Sequence, residues 1–135
     1  MTDNTTTDET DVITKLSPRT VADTTARLTG ILSAKDVKLF TVIDQSAEAH
    51  QVGLELRDTT LVIFGNPAAG TPVMAASPMA ALDLPLKVLV WDDGGQTKVS
   101  YYAPAEIAAR HGLGPGLERN LAAIDALTDA LVAPA

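Results

Sequence analysis

The sequence predicts an α+β domain of two layers. It should hold one mixed or antiparallel sheet of about five strands, with helices mainly on one face. Three observations carry that expectation. Thr60–Phe64 and Leu86–Trp91 are short, nearly continuous apolar runs bounded by Gly, Asn, Pro and Asp, which read as central strands. Asp92-Asp93-Gly94-Gly95 between the second run and the alternating Thr97–Tyr102 is a hairpin turn by composition. Longer segments at the two ends carry apolar residues at helical spacing.

The elements follow in order. Val12–Leu16 alternates well enough for a first strand, stopped at Ser17-Pro18. Thr20 is placed to cap a helix, with Asp23 three residues on as the acidic member of a capping box. Val21, Leu28, Ile31 and Leu32 extend that helix to Lys35. Asp36 turns the chain into a strand over Leu39–Ile43, and a short polar helix over Ser46–Val52 ends at Gly53. The third strand, Thr60–Phe64, does not alternate, so it is central or covered on both faces. Thr71–Ala76 makes a helical turn interrupted at Pro78. After the hairpin, Pro104 opens a helix that Gly112 closes, and the Gly-rich stretch at 112–116 is a connector. Leu117, Leu121, Ile124, Leu127 and Leu131 trace one face of a final continuous helix.

Composition limits the function. The chain has 135 residues, 46% of them apolar and only 4% aromatic, so one domain with an aliphatic core is expected, with Phe40, Phe64 and Trp91 as large fillers. Residues 1–11 are polar and acidic and are expected to form a disordered tail before a single domain at 12–135. The net charge is −7 and no Lys/Arg cluster is present, which argues against a nucleic-acid partner. The absence of cysteine excludes disulfides, thiol nucleophiles and Cys-type zinc sites. The amino terminus does not read as a secretory signal, and no apolar run reaches the roughly 20 residues that span a bilayer, so the expectation is a soluble cytoplasmic protein away from membranes. No metal site and no cofactor are expected. Glu48 and His50, two apart on a helix, do not face each other, and His111 with Arg110 reads as a basic helix end.

The candidate site is the pair of corners around the two apolar strands. At Gly65-Asn66-Pro67, Pro67 ends the strand and the Asn66 amide is able to cap the next turn or to face a ligand. In Asp83-Leu84-Pro85-Leu86-Lys87, an extended backbone would put Asp83, Pro85 and Lys87 on one face, and Asp83 could instead cap the preceding turn or accept backbone N–H groups. Asn66, Thr71, Asp83 and Lys87 are the candidate ligand-binding residues, and no catalytic residue is assigned. Antiparallel pairing of the two strands would bring both corners to one end of the sheet.

The segments IFGNPAAGTPVM, ALDLPLKVLVWDD and KVSYYAP, in that order and spacing, resemble the DUF302 family, also called TT1751-like. The resemblance covers about residues 12–113. It implies a compact α+β domain and supplies no function. It marks Asn66, Pro67, Gly70, Thr71, Met74, Asp83, Pro85, Lys87 and Trp91 as positions of interest without giving them a role. The leading functional expectation is a non-catalytic module that binds a small molecule or a protein and acts as a homo-oligomer. An enzyme with a polar site of Asn66, Thr71, Asp83 and Lys87, joined by Tyr101 or Tyr102, is the alternative, and a pure assembly scaffold is a third reading.

Overall fold

The computed structural model describes residues 11–134, so the acidic stretch at 1–10 lies outside the described residues. The chain runs β1 (Val12–Ser17), α1 (Val21–Ala34), β2 (Lys38–Asp44), α2 (Gln45–Gln51), β3 (Thr59–Gly65) and α3 (Pro67–Ala76). A 3-10 turn (Pro78–Leu82) leads to β4 (Leu86–Asp93) and β5 (Gln96–Tyr102). Then come α4 (Pro104–His111), α5 (Pro115–Glu118), a second 3-10 turn (Arg119–Leu121) and α6 (Ala123–Val132). The five strands form one sheet in the order β1-β5-β4-β3-β2. Every neighbouring pair is antiparallel. The architecture is the α+β fold that the patterning predicts.

Local chemistry explains the joints. The Thr20 side chain accepts from the Asp23 backbone N–H and starts α1. The φ of +58° at Asp36 ends the helix connection, a left-handed conformation that Asp tolerates better than most residues. Gly94 and Gly95 both have positive φ and sit between the paired Asp93 and Gln96, as a two-residue hairpin requires. Gly112 takes the left-handed conformation that closes α4.

Because β1 and β2 are opposite edges of the sheet, α1 has to cross it between them. It does so over one face, and α6 returns to that same face. Leu28 and Leu32 from α1, with Ile124, Leu127 and Leu131 from α6, pack on Val62, Phe64, Val88, Val90, Val99 and Tyr101 of the strands. A second, smaller core joins Val73 of α3, Ala80, Ile107 of α4 and Leu121.

Three expectations need correction. The final helix is not continuous: it breaks into α5, a 3-10 turn and α6. The break lets Leu117 and Leu121 turn into the smaller core while Ile124, Leu127 and Leu131 enter the main one, which a single straight face could not do. The helix after β3 starts at Pro67, four residues ahead of the expected Thr71, because Asn66 caps it and Pro67 is preset for the first helical position. Of the three large fillers only Phe64 is fully in the core. Phe40 is 44% exposed on the edge strand. Trp91 lies on the opposite face of the sheet, where its indole N–H donates to Ser100 Oγ at 3.0 Å.

Candidate functional site

The antiparallel register pairs Phe64 with Leu86, so the end of β3 and the start of β4 meet at one end of the sheet. A Cβ built on Gly65 would touch the Pro85 Cβ at 3.4 Å, so the two corners are in direct contact. Between them the chain folds α3 and the 3-10 turn back over this end. The Leu84-Pro85 peptide is cis.

α3 is held by its own corner. Asn66 Oδ1 accepts from the Ala68 N–H at 2.9 Å. The Asn66 carbonyl accepts from the Ala69 and Gly70 N–H groups, each at 2.9 Å. Pro67 has no N–H to offer. The donors at this helix start are therefore spent within the chain, which leaves no cradle for an anion.

Under α3 lies a cavity of about 380 Å³. Phe64, Leu121, Ile124 and Leu127 form its buried floor, while Met74, Leu84 and Leu86 contribute apolar wall. Phe40 of β2 also lines it. Its polar side chains are Asn66 and Thr71, both exposed at the rim, and Asn120. Asn120 Nδ2 donates to the Ala69 carbonyl at 2.9 Å and so ties the second 3-10 turn to α3. Among the described residues no Asp, Glu, Lys, Arg or His lines the cavity.

The four candidate residues divide. Asn66 and Thr71 line the cavity together, beside Pro67, Gly70, Met74 and Pro85. Asp83 and Lys87 do not line it. Asp83 ends the 3-10 turn ahead of β4, so it is not part of an extended run with Pro85 and Lys87. Its carboxylate does not cap a backbone turn. It accepts from both sides of the chain's last α4 turn, from His111 Nε2 at 2.6 Å and from Arg110 at 3.0 Å. Arg110 also reaches Glu106 Oε2 at 3.0 Å and stacks on the Tyr102 ring. Partial burial pushes the Asp83 carboxyl upward, but the hydrogen bonds from His111 and Arg110 and the Arg110 charge outweigh it and hold the group below the usual carboxylate range. Lys87 projects from the other face of β4 and donates to the Pro85 carbonyl at 3.3 Å. Tyr101 is in the core and donates to Asp125 at 2.6 Å.

Two features escape a reading of the sequence. Asn120 sits far along the chain and is masked by the apparently continuous last helix. The ring of His111 reads as a helix-end cation, and only the fold shows that it faces Asp83. Among the described residues no group of three or more His, Cys, Asp or Glu side chains is placed to hold a metal ion. Among them, too, no helix is long and apolar enough to cross a membrane.

Comparison with known proteins fits this fold. The chain is similar to the fluoride-specific ion channel FluC 1 of Brucella suis biovar 1 (strain 1330), with 38% identity over 104 residues, which is 76% of this chain and 41% of that protein. It is equally similar to FluC 1 of Brucella abortus biovar 1 (strain 9-941), at 38% identity over 76% of this chain and 38% of that protein. The chain thus spans less than half the length of these curated relatives. A crystal structure of an uncharacterized conserved protein from Bacillus stearothermophilus, described as DUF302, superposes with a TM-score of 0.76 at 19% identity, covering 90% of this chain and 94% of that one. The family described as "Domain of unknown function DUF302" matches residues 13–131, nearly the whole of the sheet and its helices. The chain therefore belongs to the DUF302 family.

Proposed function

We propose that the chain is a non-catalytic binding module that takes a small, uncharged, largely apolar ligand in the cavity under α3 and acts as a homo-oligomer. The cavity is the observation that carries the reading. At about 380 Å³ it lies at the small end of the range of ligand pockets, and its apolar walls with a few polar groups at the rim match their usual make-up. A charged ligand would find no counter-charge in the walls and no free donors at the start of α3. Neutral ligands that offer a hydrogen-bonding group to Asn66, Thr71 or Asn120 suit it best.

An enzymatic site made of Asn66, Thr71, Asp83 and Lys87 has less support. Two of the four face the cavity, while Asp83 is engaged by Arg110 and His111 and Lys87 points to the other face of the sheet. The curated relatives are named as channels, and the larger part of each lies outside the match. A module of this kind beside a channel-forming segment would serve as a ligand-responsive partner. The cytoplasmic location expected from the sequence belongs to the same proposal.

Thermal unfolding in the presence of 1-naphthol, naphthalene and decanoate tests the reading. The two neutral probes should raise the melting temperature in a concentration-dependent way, and the carboxylate should not. Gly70→Leu, which puts a side chain between Met74 and Leu84, should abolish the response. No response to any neutral probe, or the same response in Gly70→Leu, overturns it.

A further inference from the structure

The geometry points to the open face of the sheet as the surface on which a second copy of this chain docks. This inference rests on the homo-oligomer part of the function proposed above and names the surface that would carry it.

The register lays out that face row by row. Ile43, Leu61, Leu89, Ser100 and Thr14 stand opposite one another across all five strands. On one side of this row run Thr41, Ile63 and Lys87, and on the other Thr59, Trp91, Lys98 and Leu16. The half formed by β2, β3 and β4 is mostly apolar. None of these apolar side chains is buried among the described residues, whereas Val62, Val88 and Val90 on the opposite face of the same strands are 0% exposed. An antiparallel sheet with one wet face normally alternates apolar-in with polar-out. β3 and β4 depart from this: Leu61, Ile63, Leu89 and Trp91 take outward positions, interrupted by Thr59, Lys87 and Asp93. These strands have the composition of strands covered twice, and α1 and α6 cover them once.

A second copy fits what is missing. Five strands at about 4.8 Å spacing and about seven residues in length give a footprint of roughly 24 by 23 Å, or about 550 Å². Two such footprints, about 1,100 Å², just reach the roughly 1,000 Å² that a specific interface needs. By register the strand residues of this face carry Lys38, Lys87, Lys98 and Asp93, and Lys98 is paired with Asp93 at 2.7 Å. A chain of net charge −7 would meet strong self-repulsion through a typical part of its surface, and this face brings little acid against acid. Symmetry adds to the fit. β4 is the middle strand and Leu89 lies on the middle row, so a two-fold axis between the two sheets brings Leu89 next to its own copy. One substitution there acts twice.

The full chain, examined by sedimentation at tens of micromolar, should be a dimer. Leu89→Asp should be a monomer of unchanged far-UV circular dichroism, and Leu82→Glu, at a position 73% exposed elsewhere on the surface, should remain a dimer. The wild-type protein gives an independent measure that needs no variant. Trp91 is the only tryptophan and lies on this face, so its emission should shift to the red as the protein is diluted to sub-micromolar concentration. A wild-type monomer overturns both this inference and the homo-oligomer reading, and leaves ligand binding in the cavity standing. A wild-type dimer whose Leu89→Asp variant is still dimeric, or whose Trp91 emission does not change on dissociation, overturns the surface alone.

Discussion

The two faces of the sheet are made by the same strands from similar residues and end in different surroundings. On one, Val62, Val88, Val90 and Val99 are sealed from solvent beneath Leu28, Leu32 and the α6 leucines. On the other, Leu61, Ile63, Leu89 and Trp91 remain half-exposed. Residue type cannot account for the difference, since both strands carry large apolar residues on both faces. The order of connections can. α1 has to cross the whole sheet to join its two edges, and it crosses on one side. α6 then packs beside it, because Ile124, Leu127 and Leu131 match the apolar surface that α1 leaves open. No described helix contributes a buried side chain to the second face. Strand composition sets how much apolar surface a sheet presents, and chain path sets which part the domain covers for itself.

The largest expected effect tests that contrast directly. Leu32→Ala empties a fully buried site between α1 and the sheet and should cost roughly 2–5 kcal/mol in urea unfolding. Leu61→Ala removes a half-exposed side chain and should cost about 1 kcal/mol or less in the isolated domain. Equal losses at low protein concentration would break the distinction between a covered and an open face. A Leu61→Ala cost that grows with protein concentration would sharpen it, because burial then comes from association.

The same contrast marks what was legible in the sequence. The strands, the hairpin at Gly94-Gly95, the Thr20 cap and the Gly112 stop were legible because each is set by residues close together in the chain. Asn66 as a cap was legible for the same reason. Pro78 and the prolines flanking it hinder a crossover helix, so the sequence favours the antiparallel pairing of β3 with β4 and with it the meeting of the two corners. The broken last helix was not legible, since Leu117 to Leu131 keeps helical spacing and only the position of two separate cores demands a break. Nor was the division of the candidate site. Asn66 and Thr71 lie within one helical segment, so their sharing a cavity is nearly local. Asp83 is drawn away by Arg110 and His111, residues that approach it only through the packing of α4 against the 3-10 turn.

That packing supplies a smaller test on the covered side. The contacts from Arg110 and His111 to Asp83 latch α4 to the 3-10 turn, and Asp83→Asn should lower stability by about 1 kcal/mol at neutral pH, since Arg110 is partly exposed. The pH dependence has a definite sign. The Asp83 carboxyl titrates lower in the folded protein than the roughly 3.9 of an unfolded chain. Its contribution is therefore complete above about pH 4 and is lost as pH falls through the folded value. Wild-type stability should drop more steeply than that of Asp83→Asn below pH 4, as measured by urea midpoints. Parallel pH profiles would mean that the latch does not stabilise the covered side.

The smallest expected effect concerns the cavity on that side. Gly70 sits inside α3, where glycine weakens a helix by roughly 0.5–1 kcal/mol relative to alanine. Nothing in the local backbone calls for glycine, as its φ is not positive. A Cβ there would lie 3.9 Å from Met74 Cε and 4.0 Å from Leu84 Cδ1, which is ordinary contact. Gly70→Ala should therefore raise stability by that modest amount and leave the fold unchanged. It also places a methyl group in the wall of the cavity. If the cavity exists to admit a ligand, the same variant should bind 1-naphthol more weakly while it unfolds at a higher temperature. A variant that is more stable and binds equally well would make the cavity a packing remnant of the covered side. A variant that gains stability and loses affinity would give Gly70 its reason: the residue keeps α3 thin where a ligand has to pass between the helix and the end of the sheet.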